Sequence, residues 1–379
     1  MKYCKYCLTT NLRPNAKFVN GVCIPCSYTN DFFKKNTSNQ LNKLKFYIQE
    51  LKVNKKNKLD HDCIVGVSGG KDSTRQAHWV RDRLGLRPLL VCVAYPPRQM
   101  SKTGAANLSN LMSMGFDIII ATPSPKTAAN LSLQAFKKFG NVCTSTELAL
   151  FSTVPRLAAD TGIKLIFWGE NPALQVGDSA VSGINEFDGN NLRNLNTLSS
   201  APLDWIQATV AHEYQANHYK YPSSLEFEKN KINIIYLGPA WDDWGLEQNA
   251  TYAALNGLTL RPNEEDITGD ISNASMLDED FTNINMMIRY FKFGFGRATD
   301  IVNEQIRLGK LKRDEGIRIV KKYDGVCEEA IIDNYCNYVD ISKSEFWQIL
   351  NEFVNKDLFN INNNGRPSRK FEVGADYEH

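Results

Sequence analysis

The stretch Ser68-Gly69-Gly70-Lys71-Asp72-Ser73 decides the fold that this sequence predicts. The run Cys63-Ile64-Val65-Gly66-Val67 before it is short, apolar and β-branched, which is typical of a buried parallel strand. A helical pattern follows from Asp72 to about Leu84 and ends at Gly85. Strand, glycine loop and helix direct backbone N–H groups and the positive end of a helix toward an anion. The stretch therefore predicts a phosphate-binding loop in an α/β domain.

The side chains of this loop also suit a phosphate. Gly69 and Gly70 lack a Cβ, so the main chain can approach an anion and adopt positive φ. Lys71 adds a positive charge, and Ser68 and Ser73 add hydroxyl donors. The loop is shorter than a Walker A motif, which argues against transfer of a γ-phosphate. The alternative is a plain glycine-rich turn with a surface lysine.

The hexapeptide resembles the PP-loop of the ATP pyrophosphatases, because the SGGxDS form is intact. The resemblance implies that ATP is a cofactor, that it is cleaved between the α- and β-phosphates, and that an oxygen of a second substrate is adenylated. The residues that would bind ATP are Ser68, Gly69, Gly70, Lys71, Asp72 and Ser73.

Composition and charge limit the class of protein. The chain has 379 residues, 42% hydrophobic and 23% charged, which suits two or three globular domains. A net charge of +2 does not favour nucleic acid as a partner. No apolar run approaches the ~20 residues that span a bilayer, and the N-terminus does not resemble a signal peptide. The odd number of cysteines, nine, favours a reducing cytoplasm over a disulfide framework.

Four cysteines form two pairs, Cys4-x-x-Cys7 and Cys23-x-x-Cys26. Fifteen residues separate the pairs, a spacing typical of four thiolates that hold one structural Zn²⁺. Asn20-Gly21, just before the second pair, suits the hairpin turn that would bring the pairs together. Two disulfides or a redox pair are the alternatives.

From residue 61 onward, strand and helix patterns alternate, which predicts an α/β fold with a doubly wound parallel sheet. After Cys63–Val67, strands are expected at Leu89–Tyr95, Ile118–Ala121, Leu165–Gly169 and Ile232–Leu237, and helices at Ser101–Met114, Ala128–Phe139 and Ser145–Thr161. Ligands bind at the carboxyl ends of such strands, where both the glycine loop and Gly169-Glu170-Asn171 are expected. Between residues 174 and 231 we expect an insertion with one helix, Leu203–His218.

Three regions are expected along the chain: a zinc-binding unit with the start of a linker helix (1–45), the α/β domain of ATP pyrophosphatase type (46–240) and a C-terminal helical domain (241–379). Helices are predicted in the last region at Leu246–Asn256, Thr282–Phe293, Asp300–Leu308, Asp314–Tyr323, Glu328–Tyr338 and Glu345–Asn355. Beyond Asn360, the polar run at residues 362–367 indicates a frayed tail.

Three further stretches indicate a particular family among the proteins with such a loop. They are the four-cysteine unit, the turn Gly169-Glu170-Asn171, and Lys292-Phe293-Gly294-Phe295-Gly296-Arg297-Ala298-Thr299-Asp300 followed by Ile306-Arg307-x-Gly309. Together with the loop they resemble the N-acetyl sugar amidotransferases of bacterial lipopolysaccharide O-antigen and flagellar-glycan biosynthesis. The resemblance implies conversion of the acetamido group of a nucleotide-linked sugar to an acetamidino group. It also implies a separate glutaminase subunit and a cyclase-like partner that channels ammonia.

The reaction makes physical sense with these residues. An amide oxygen is a poor leaving group, but an amide oxygen that carries AMP can be expelled by ammonia. The loop would hold the departing pyrophosphate, and Mg²⁺ would spread its charge. Asp72 is the candidate for orienting that metal, and a helix N-cap is its alternative role.

The candidate catalytic residues are Lys71, Asp72, Glu170, Asn171 and Arg297. Glu170 and Asn171 would position the acceptor amide or the metal, or would form only a turn. Arg297 would clamp a phosphate or carboxylate of a sugar nucleotide, or would form a salt bridge at a helix end.

Two further features have alternative interpretations. Trp241-Asp242-Asp243-Trp244 combines aromatic surfaces and carboxylates, as sugar sites do, but ordinary packing tryptophans explain it equally well. Cys143 lies where some tRNA-thiolating relatives carry a reactive cysteine. No CxxC partner is near it, so we interpret it as a buried or helix-capping residue.

Two other functions compete with the amidotransferase. One is a tRNA-modifying PP-loop enzyme of the thiolation type, and the other is a non-enzymatic scaffold with a vestigial loop. No cysteine has the glycine-flanked elbow and histidine partner of a triad glutaminase, and Lys2 rather than a cysteine follows Met1. The sequence therefore predicts that ammonia comes from another subunit.

Overall fold

A sheet of five parallel strands lies at the centre of the protein, as the sequence predicts. The structure, a computed structural model, describes residues 1–32, 37–51, 58–169, 187–195, 198, 203–241, 243–261 and 263–377. In chain order the strands are β1 (Phe18–Val19), β2 (Val22–Cys23), β3 (Cys63–Val67), β4 (Pro88–Val93), β5 (Ile118–Ala121), β6 (Leu165–Trp168), β7 (Asn233–Tyr236), β8 (Phe359–Ile361) and β9 (Pro367–Arg369). The five central strands follow the order β5-β4-β3-β6-β7.

The helices surround this sheet and form most of the C-terminal region. They are α1 (Ile24–Phe32), α2 (Thr37–Glu50), α3 (Lys71–Leu84), α4 (Lys102–Ser113), α5 (Pro125–Phe139), α6 (Thr144–Thr161), α7 (Asp204–Thr209), α8 (Ser224–Asn230), α9 (Leu246–Leu255), α10 (Glu265–Thr268), α11 (Phe281–Phe293), α12 (Arg297–Arg307), α13 (Arg313–Tyr323), α14 (Glu329–Val339) and α15 (Lys343–Phe353). Among the described residues, no helix is both long and apolar enough to cross a membrane.

Both faces of the sheet are covered, which confirms the doubly wound arrangement. Alternate residues of β3 point to opposite faces, so Val65 packs with α2, α3 and α4, while Ile64 packs with α6 and α8. The strand order reverses between β3 and β6. In an open parallel sheet this reversal leaves a crevice at the carboxyl ends of the two strands. The glycine loop follows β3 at this edge.

The N-terminal hairpin forms at the predicted turn. β1 and β2 pair antiparallel, and Asn20 and Gly21 between them adopt φ of 52° and 79°. Two consecutive residues with positive φ form the tight turn that joins antiparallel strands, which explains the Asn-Gly sequence. The turn brings Cys23 and Cys26 next to the first cysteine pair.

The single helix predicted at Leu203–His218 is not formed. The chain has α7 and then a separate 3₁₀ segment, Glu213–Tyr219, because the backbone is extended at Val210 and His212. Trp205 and Tyr219, one from each segment, are buried in the same apolar cluster with residues of α5 and α6. Tertiary packing of two short segments therefore replaces one long helix. Residues 174–186, 196–197 and 199–202 of the predicted insertion lie outside the described residues.

The frayed tail predicted beyond Asn360 is also wrong. β8 and β9 form an antiparallel hairpin, and Gly365 in its turn has φ of 72°. Phe371 and Val373 follow and are almost completely buried. The Tyr377 N–H then donates a hydrogen bond of 2.8 Å to the carbonyl oxygen of Met1. The polar asparagine run that suggests fraying is the turn of a hairpin whose flanking apolar residues complete the C-terminal core.

This correction leads to the first prediction. Phe371→Ala should reduce the free energy of unfolding by about 3–5 kcal/mol, since a buried phenylalanine leaves a cavity when it is truncated. Thermal or urea unfolding followed by circular dichroism measures the change. Phe46→Ala is the matched control, because Phe46 is 61% exposed. If both substitutions had equally small effects on the free energy of unfolding, the tail would be frayed after all and Phe371 would not be part of the core.

Candidate functional site

The Ser68–Ser73 loop is compact and closed by its own hydrogen bonds. The Ser73 hydroxyl donates to the Gly70 carbonyl oxygen at 3.1 Å, and the Ser68 N–H donates to Ser73 Oγ at 3.4 Å. Gly69 has φ of 85°, and a Cβ there would lie 3.0 Å from the backbone nitrogen of Leu108. Only glycine fits this conformation and this approach to α4. The loop is thus shaped by tertiary contact as well as by its sequence.

A chain of polar contacts orients the first charged residues of α3. The Lys71 ammonium donates to one oxygen of Asp72 at 2.8 Å, and the Asn249 amide donates to the other at 2.7 Å. The Arg75 guanidinium donates to Asn249 at 2.8 Å and to both oxygens of Asp243 at 2.7 and 2.8 Å. Asn249 is fully buried. The network fixes the position of Asp72. No motif in the sequence points to Asn249, because this residue belongs to α9, far along the chain from the loop.

Asp72 is not the cap of α3, which corrects one of its two expected roles. Gly70 occupies the N-cap position with extended backbone, and Asp72 lies in the first turn. Burial raises the pKa of the Asp72 carboxyl, but Lys71, Asn249 and Arg297 outweigh this and lower it below its usual value. The carboxylate is therefore ionised at neutral pH and available to a cation.

The segment before α11 contacts the glycine loop, and the sequence did not predict this contact. The Asp278 carboxylate accepts a hydrogen bond of 2.9 Å from the Tyr95 hydroxyl. It also accepts a hydrogen bond from the Ser68 side chain. A Cβ at Gly104 would lie 2.5 Å from the Asp278 carbonyl oxygen, so this segment packs tightly against α4. Burial raises the pKa of Asp278, and burial together with Asp278 raises the pKa of Glu279 to about 8. The sequence shows this segment only as an acidic run at residues 278–280, which does not by itself place Asp278 at the loop.

The Gly-Phe-Gly-Arg-Ala-Thr-Asp stretch (294–300) joins the N-terminal unit to the C-terminal helices. Two guanidinium groups contact the ring of Phe295, with Arg13 4.5 Å and Arg289 4.8 Å from its centre. Asp300 accepts a hydrogen bond from Arg13 and another of 2.6 Å from Arg289. Burial opposes ionisation of Asp300, but the guanidiniums of Arg13, Arg289 and Arg297 hold its pKa well below the usual range. Most of the stretch is thus a structural junction.

Arg297 differs from its neighbours in this stretch. Its guanidinium donates a hydrogen bond to the Ser275 hydroxyl, and its Nε is buried without a partner among the described residues. The helix end is stabilised instead by Asp324, which accepts from the N–H groups of Gly296 at 2.8 Å and Thr299 at 3.0 Å. In the described part of the chain, no salt bridge at the helix end involves Arg297. The side chain lines a cleft.

This cleft has a volume of about 270 Å³ and is formed by three regions of the chain. The glycine loop contributes Lys71 and Asp72, and the C-terminal region contributes residues between Trp244 and Leu308. The cysteine unit contributes Thr9, Arg13, Ala16, Lys17, Cys23, Pro25 and Thr29. Six cationic side chains line it: Arg13, Lys17, Lys71, Arg289, Arg297 and Arg307. Three acidic side chains, Asp72, Asp300 and Glu304, leave an excess of positive charge. The arrangement suits an anionic ligand next to Lys71.

The four cysteines of the N-terminal unit form one buried cluster, as predicted. All four sulfurs lie within 4.8 Å of one another, and no disulfide joins them. The Cys4–Cys26 and Cys7–Cys23 sulfur distances are 3.9 and 3.6 Å, close to the ~3.8 Å edge of a tetrahedron with Zn–S bonds of about 2.3 Å.

Hydrogen bonds to the sulfurs also favour thiolates. The Cys23 N–H donates to Cys4 Sγ at 3.3 Å, and the Thr9 N–H donates to Cys7 Sγ at 3.4 Å. Four adjacent thiolates repel one another unless a cation compensates them, so the donor set fits Zn²⁺.

The other predicted residues have different outcomes. Glu170, Asn171 and Asp242 lie outside the described residues. Trp241 is buried and packs on Trp79 and Trp244, with ring centres 5.1 and 4.5 Å apart, so it serves as a packing residue. Trp244 belongs to the same cluster and also lines the cleft.

Cys143 is a buried residue at the N-cap of α6, as interpreted from the sequence. Burial and the nearby Glu279 and Glu147 carboxylates raise the pKa of its thiol well above the usual value. A thiol in this environment stays protonated and is a poor nucleophile. This position therefore offers no support for the thiolation alternative.

Comparison with known families concerns the C-terminal region. Residues 277–372 match a family model described as "LPS biosynthesis protein WbpG-like, C-terminal domain". The matched segment includes Asp278, Arg289, Arg297 and Arg307, which lie at the loop and the cleft. Comparison with curated proteins gives no match. The similarity covers about a quarter of the chain and supports the expected relation to proteins of lipopolysaccharide biosynthesis.

The cysteine cluster gives the second prediction. Elemental analysis should find about one zinc per chain, because four thiolates at these distances satisfy the metal completely. Cys23→Ser should release the zinc and lower the unfolding temperature of the N-terminal unit. Cys327→Ser is the matched control, since Cys327 is only partly buried and lies outside the cluster. Metal-free protein with unchanged stability would contradict the zinc assignment.

Proposed function

We propose that this protein is an ATP-dependent amidotransferase that converts the acetamido group of a sugar to an acetamidino group during bacterial surface-glycan biosynthesis. The observation that carries the proposal is the position of Lys71 and Asp72. They lie within the SGGxDS loop, which follows β3 at the carboxyl edge of the parallel sheet. They also line a cationic cleft together with residues of the segment that matches the WbpG-like family model. The nucleotide-linked form of the sugar is part of the same proposal.

The first chemical step activates the amide oxygen. That oxygen attacks the α-phosphorus of ATP, the α–β bridging bond breaks, and pyrophosphate leaves. The Lys71 ammonium and the backbone of the Ser68–Ser73 loop stabilise the negative charge on the departing phosphates. The product is an O-adenylyl imidate, formed as the amide nitrogen loses its proton.

The second step introduces nitrogen. Ammonia attacks the imidate carbon, the carbon–oxygen bond breaks, and AMP leaves with the oxygen that belonged to the amide. Protonation of the amidine drives the reaction forward, because the amidinium spreads its charge over two nitrogens.

Asp72 is the residue that would hold Mg²⁺ with the ATP phosphates. Its ionised carboxylate offers hard oxygen ligands, which Mg²⁺ prefers, and it lies beside Lys71 in the cleft. The metal would add positive charge where the pyrophosphate develops negative charge. Asn249 and Arg75 hold the carboxylate in place.

The cysteines support an external source of ammonia. Burial raises the pKa of Cys92 and Cys327 to about 12 and that of Cys336 to about 11. Burial also raises the pKa of Cys63 and Cys143 well above the usual value. A glutaminase needs an activated thiolate, and the remaining four cysteines form the metal cluster. A separate glutaminase subunit and a cyclase-like partner would then deliver ammonia directly to the cleft.

The third prediction tests ATP cleavage. Lys71→Ala should lower turnover by roughly 10²–10³-fold, since it removes a charge that stabilises the departing pyrophosphate. Chromatography of the nucleotide product should show AMP for the normal protein. With an ¹⁸O-labelled acetamido group, mass spectrometry should find the label in AMP. Lys229→Ala on exposed α8 is the control, with unchanged turnover.

Formation of ADP and free phosphate would exclude this chemistry. So would AMP without ¹⁸O, because the amide oxygen would then not have been adenylated.

The fourth prediction concerns the nitrogen donor. The purified protein with ATP, Mg²⁺ and a candidate sugar nucleotide should turn over with ammonium and not with glutamine. Glutamine should work once a glutaminase partner is added. Product is measured by mass spectrometry, as an acetamidino group weighs about one dalton less than an acetamido group. Glutamine-dependent turnover by the protein alone would overturn the reading of its cysteines.

A further inference from the structure

Both serine hydroxyls of the glycine loop donate to acceptors inside the protein. The Ser73 hydroxyl donates to the Gly70 carbonyl oxygen at 3.1 Å, and the Ser68 side chain donates to the Asp278 carboxylate. A hydroxyl group has only one proton to donate. In this arrangement neither hydroxyl has a proton left for a phosphate.

We propose that Asp278 is a positioning residue of the glycine loop, and that Ser68 anchors the loop to it instead of donating to the phosphates of ATP. Backbone N–H groups and Lys71 would then hold the phosphates. The inference rests on the proposed function for its ligand, ATP. It goes beyond that function, because it gives the C-terminal region, where the match to the family model begins at residue 277, a part in shaping the ATP site.

The segment at residues 277–280 is held next to the connection between β4 and α4. The N–H of Ser101, which is the N-cap of α4, donates to the Asp278 carbonyl oxygen at 3.1 Å. The Gln99 side-chain amide donates to the Glu279 carboxylate at 3.0 Å. The backbone position of Asp278 is therefore fixed independently of the contact that its side chain makes with the loop.

Close packing on α4 places this segment and the loop side by side. A Cβ at Gly104, in the first turn of α4, would lie 2.5 Å from the Asp278 carbonyl oxygen. A Cβ at Gly69 would lie 3.3 Å from the Gly104 carbonyl oxygen. The same turn of α4 therefore contacts both backbones, and neither can approach it more closely.

The Asp278 side chain completes the connection. Its carboxylate accepts a hydrogen bond of 2.9 Å from the hydroxyl of Tyr95, which lies shortly after β4, and another from Ser68. Burial raises the pKa of Asp278, and these two hydrogen bonds oppose that effect in part. A carboxylate with two hydroxyl donors restricts the orientation of both. The loop thus begins at a fixed Ser68.

A double-mutant cycle separates an anchor from a phosphate donor. Ser68→Ala, Asp278→Ala and the double variant of the full chain are titrated with α,β-methylene-ATP and Mg²⁺ by calorimetry. Each single substitution should weaken binding on the order of ten- to hundredfold, the range for a hydrogen bond to a charged group. The double variant should bind within about twofold of the weaker single variant, because both substitutions remove the same contact.

Amide hydrogen exchange tests the anchor without any ligand. The Ser68 N–H bonds to Ser73 Oγ, and the Thr74 N–H bonds to the Gly70 carbonyl oxygen at 3.0 Å. Asp278→Ala should speed exchange at these two N–H groups roughly tenfold or more, since the loop loses its anchor. Mass spectrometry with fragmentation of the loop peptide measures the rates.

Two further variants serve as controls. Asp278→Asn keeps an acceptor oxygen and should recover part of the affinity and of the protection, which a general loss of folding would not allow. Asp314→Ala removes an exposed carboxylate of α13 and should change neither quantity. Unchanged exchange within α14 shows that each variant is folded.

Three results would overturn the inference. Additive effects of Ser68→Ala and Asp278→Ala would mean that Ser68 contacts the ligand independently of Asp278. Unchanged affinity in both single variants, or unchanged exchange at Ser68 and Thr74 in Asp278→Ala, would exclude an anchoring role. If the unsubstituted protein did not bind the ATP analogue, the proposed function would fail, and the exchange rates would still decide whether Asp278 holds the loop.

Discussion

The junction around Asp300 is the interaction on which the geometry of the candidate site depends. One carboxylate accepts hydrogen bonds from Arg13 of the cysteine unit and Arg289 of α11, and both guanidiniums contact the ring of Phe295. The network is partly buried, with the Arg13, Asp300 and Arg289 side chains 17, 21 and 22% exposed, so loss of any partner should weaken the junction. Because Arg13 comes from the cysteine unit and its partners come from the C-terminal region, this side of the cleft exists only where those two regions meet. The junction also brings two cations to one anion, which adds to the positive charge of the cleft.

The sheet contributes the other half of the site. The strand order reverses between β3 and β6, and the chain leaves β3 at the resulting crevice. A glycine loop at this point is exposed to a ligand and yet fixed by its contact with α4. Tyr95 and Asp278 extend this fixed surface, since Tyr95 follows β4 and Asp278 precedes α11. The C-terminal region is thereby in direct contact with the loop rather than a separate appendage.

The polar network around Asn249 shows how the protein controls a charged residue at the site. Asp72 is partly exposed to the cleft, but both of its oxygens are held, one by Lys71 and one by Asn249. Asn249 is in turn oriented by Arg75. A fully satisfied network of this kind rigidifies the groups that it joins. A ligand in the cleft would therefore meet a carboxylate and an ammonium whose positions are already set.

Local sequence was sufficient for much of this protein. The strands and most helices followed from apolar periodicity, glycine caps and Asn20-Gly21, because these features act over a few residues. The cysteine spacing predicted the buried cluster for the same reason. The residue types of the loop were also sufficient to indicate an anion site, because glycines, a lysine and hydroxyl donors suit an anion without reference to tertiary contacts.

Tertiary structure decided the rest. It divided the helix expected at Leu203–His218, and it ordered the tail through Phe371, because burial in a distant core outweighs local polarity. It also assigned roles within the stretch at residues 294–300, where Phe295 and Asp300 form a junction and Arg297 faces the cleft. Asn249 and Asp278 could not be found from sequence, since their partners are more than 100 residues away. The sequence determined the elements and the chemistry of each motif, whereas only packing between distant segments decided which charges meet in one cleft.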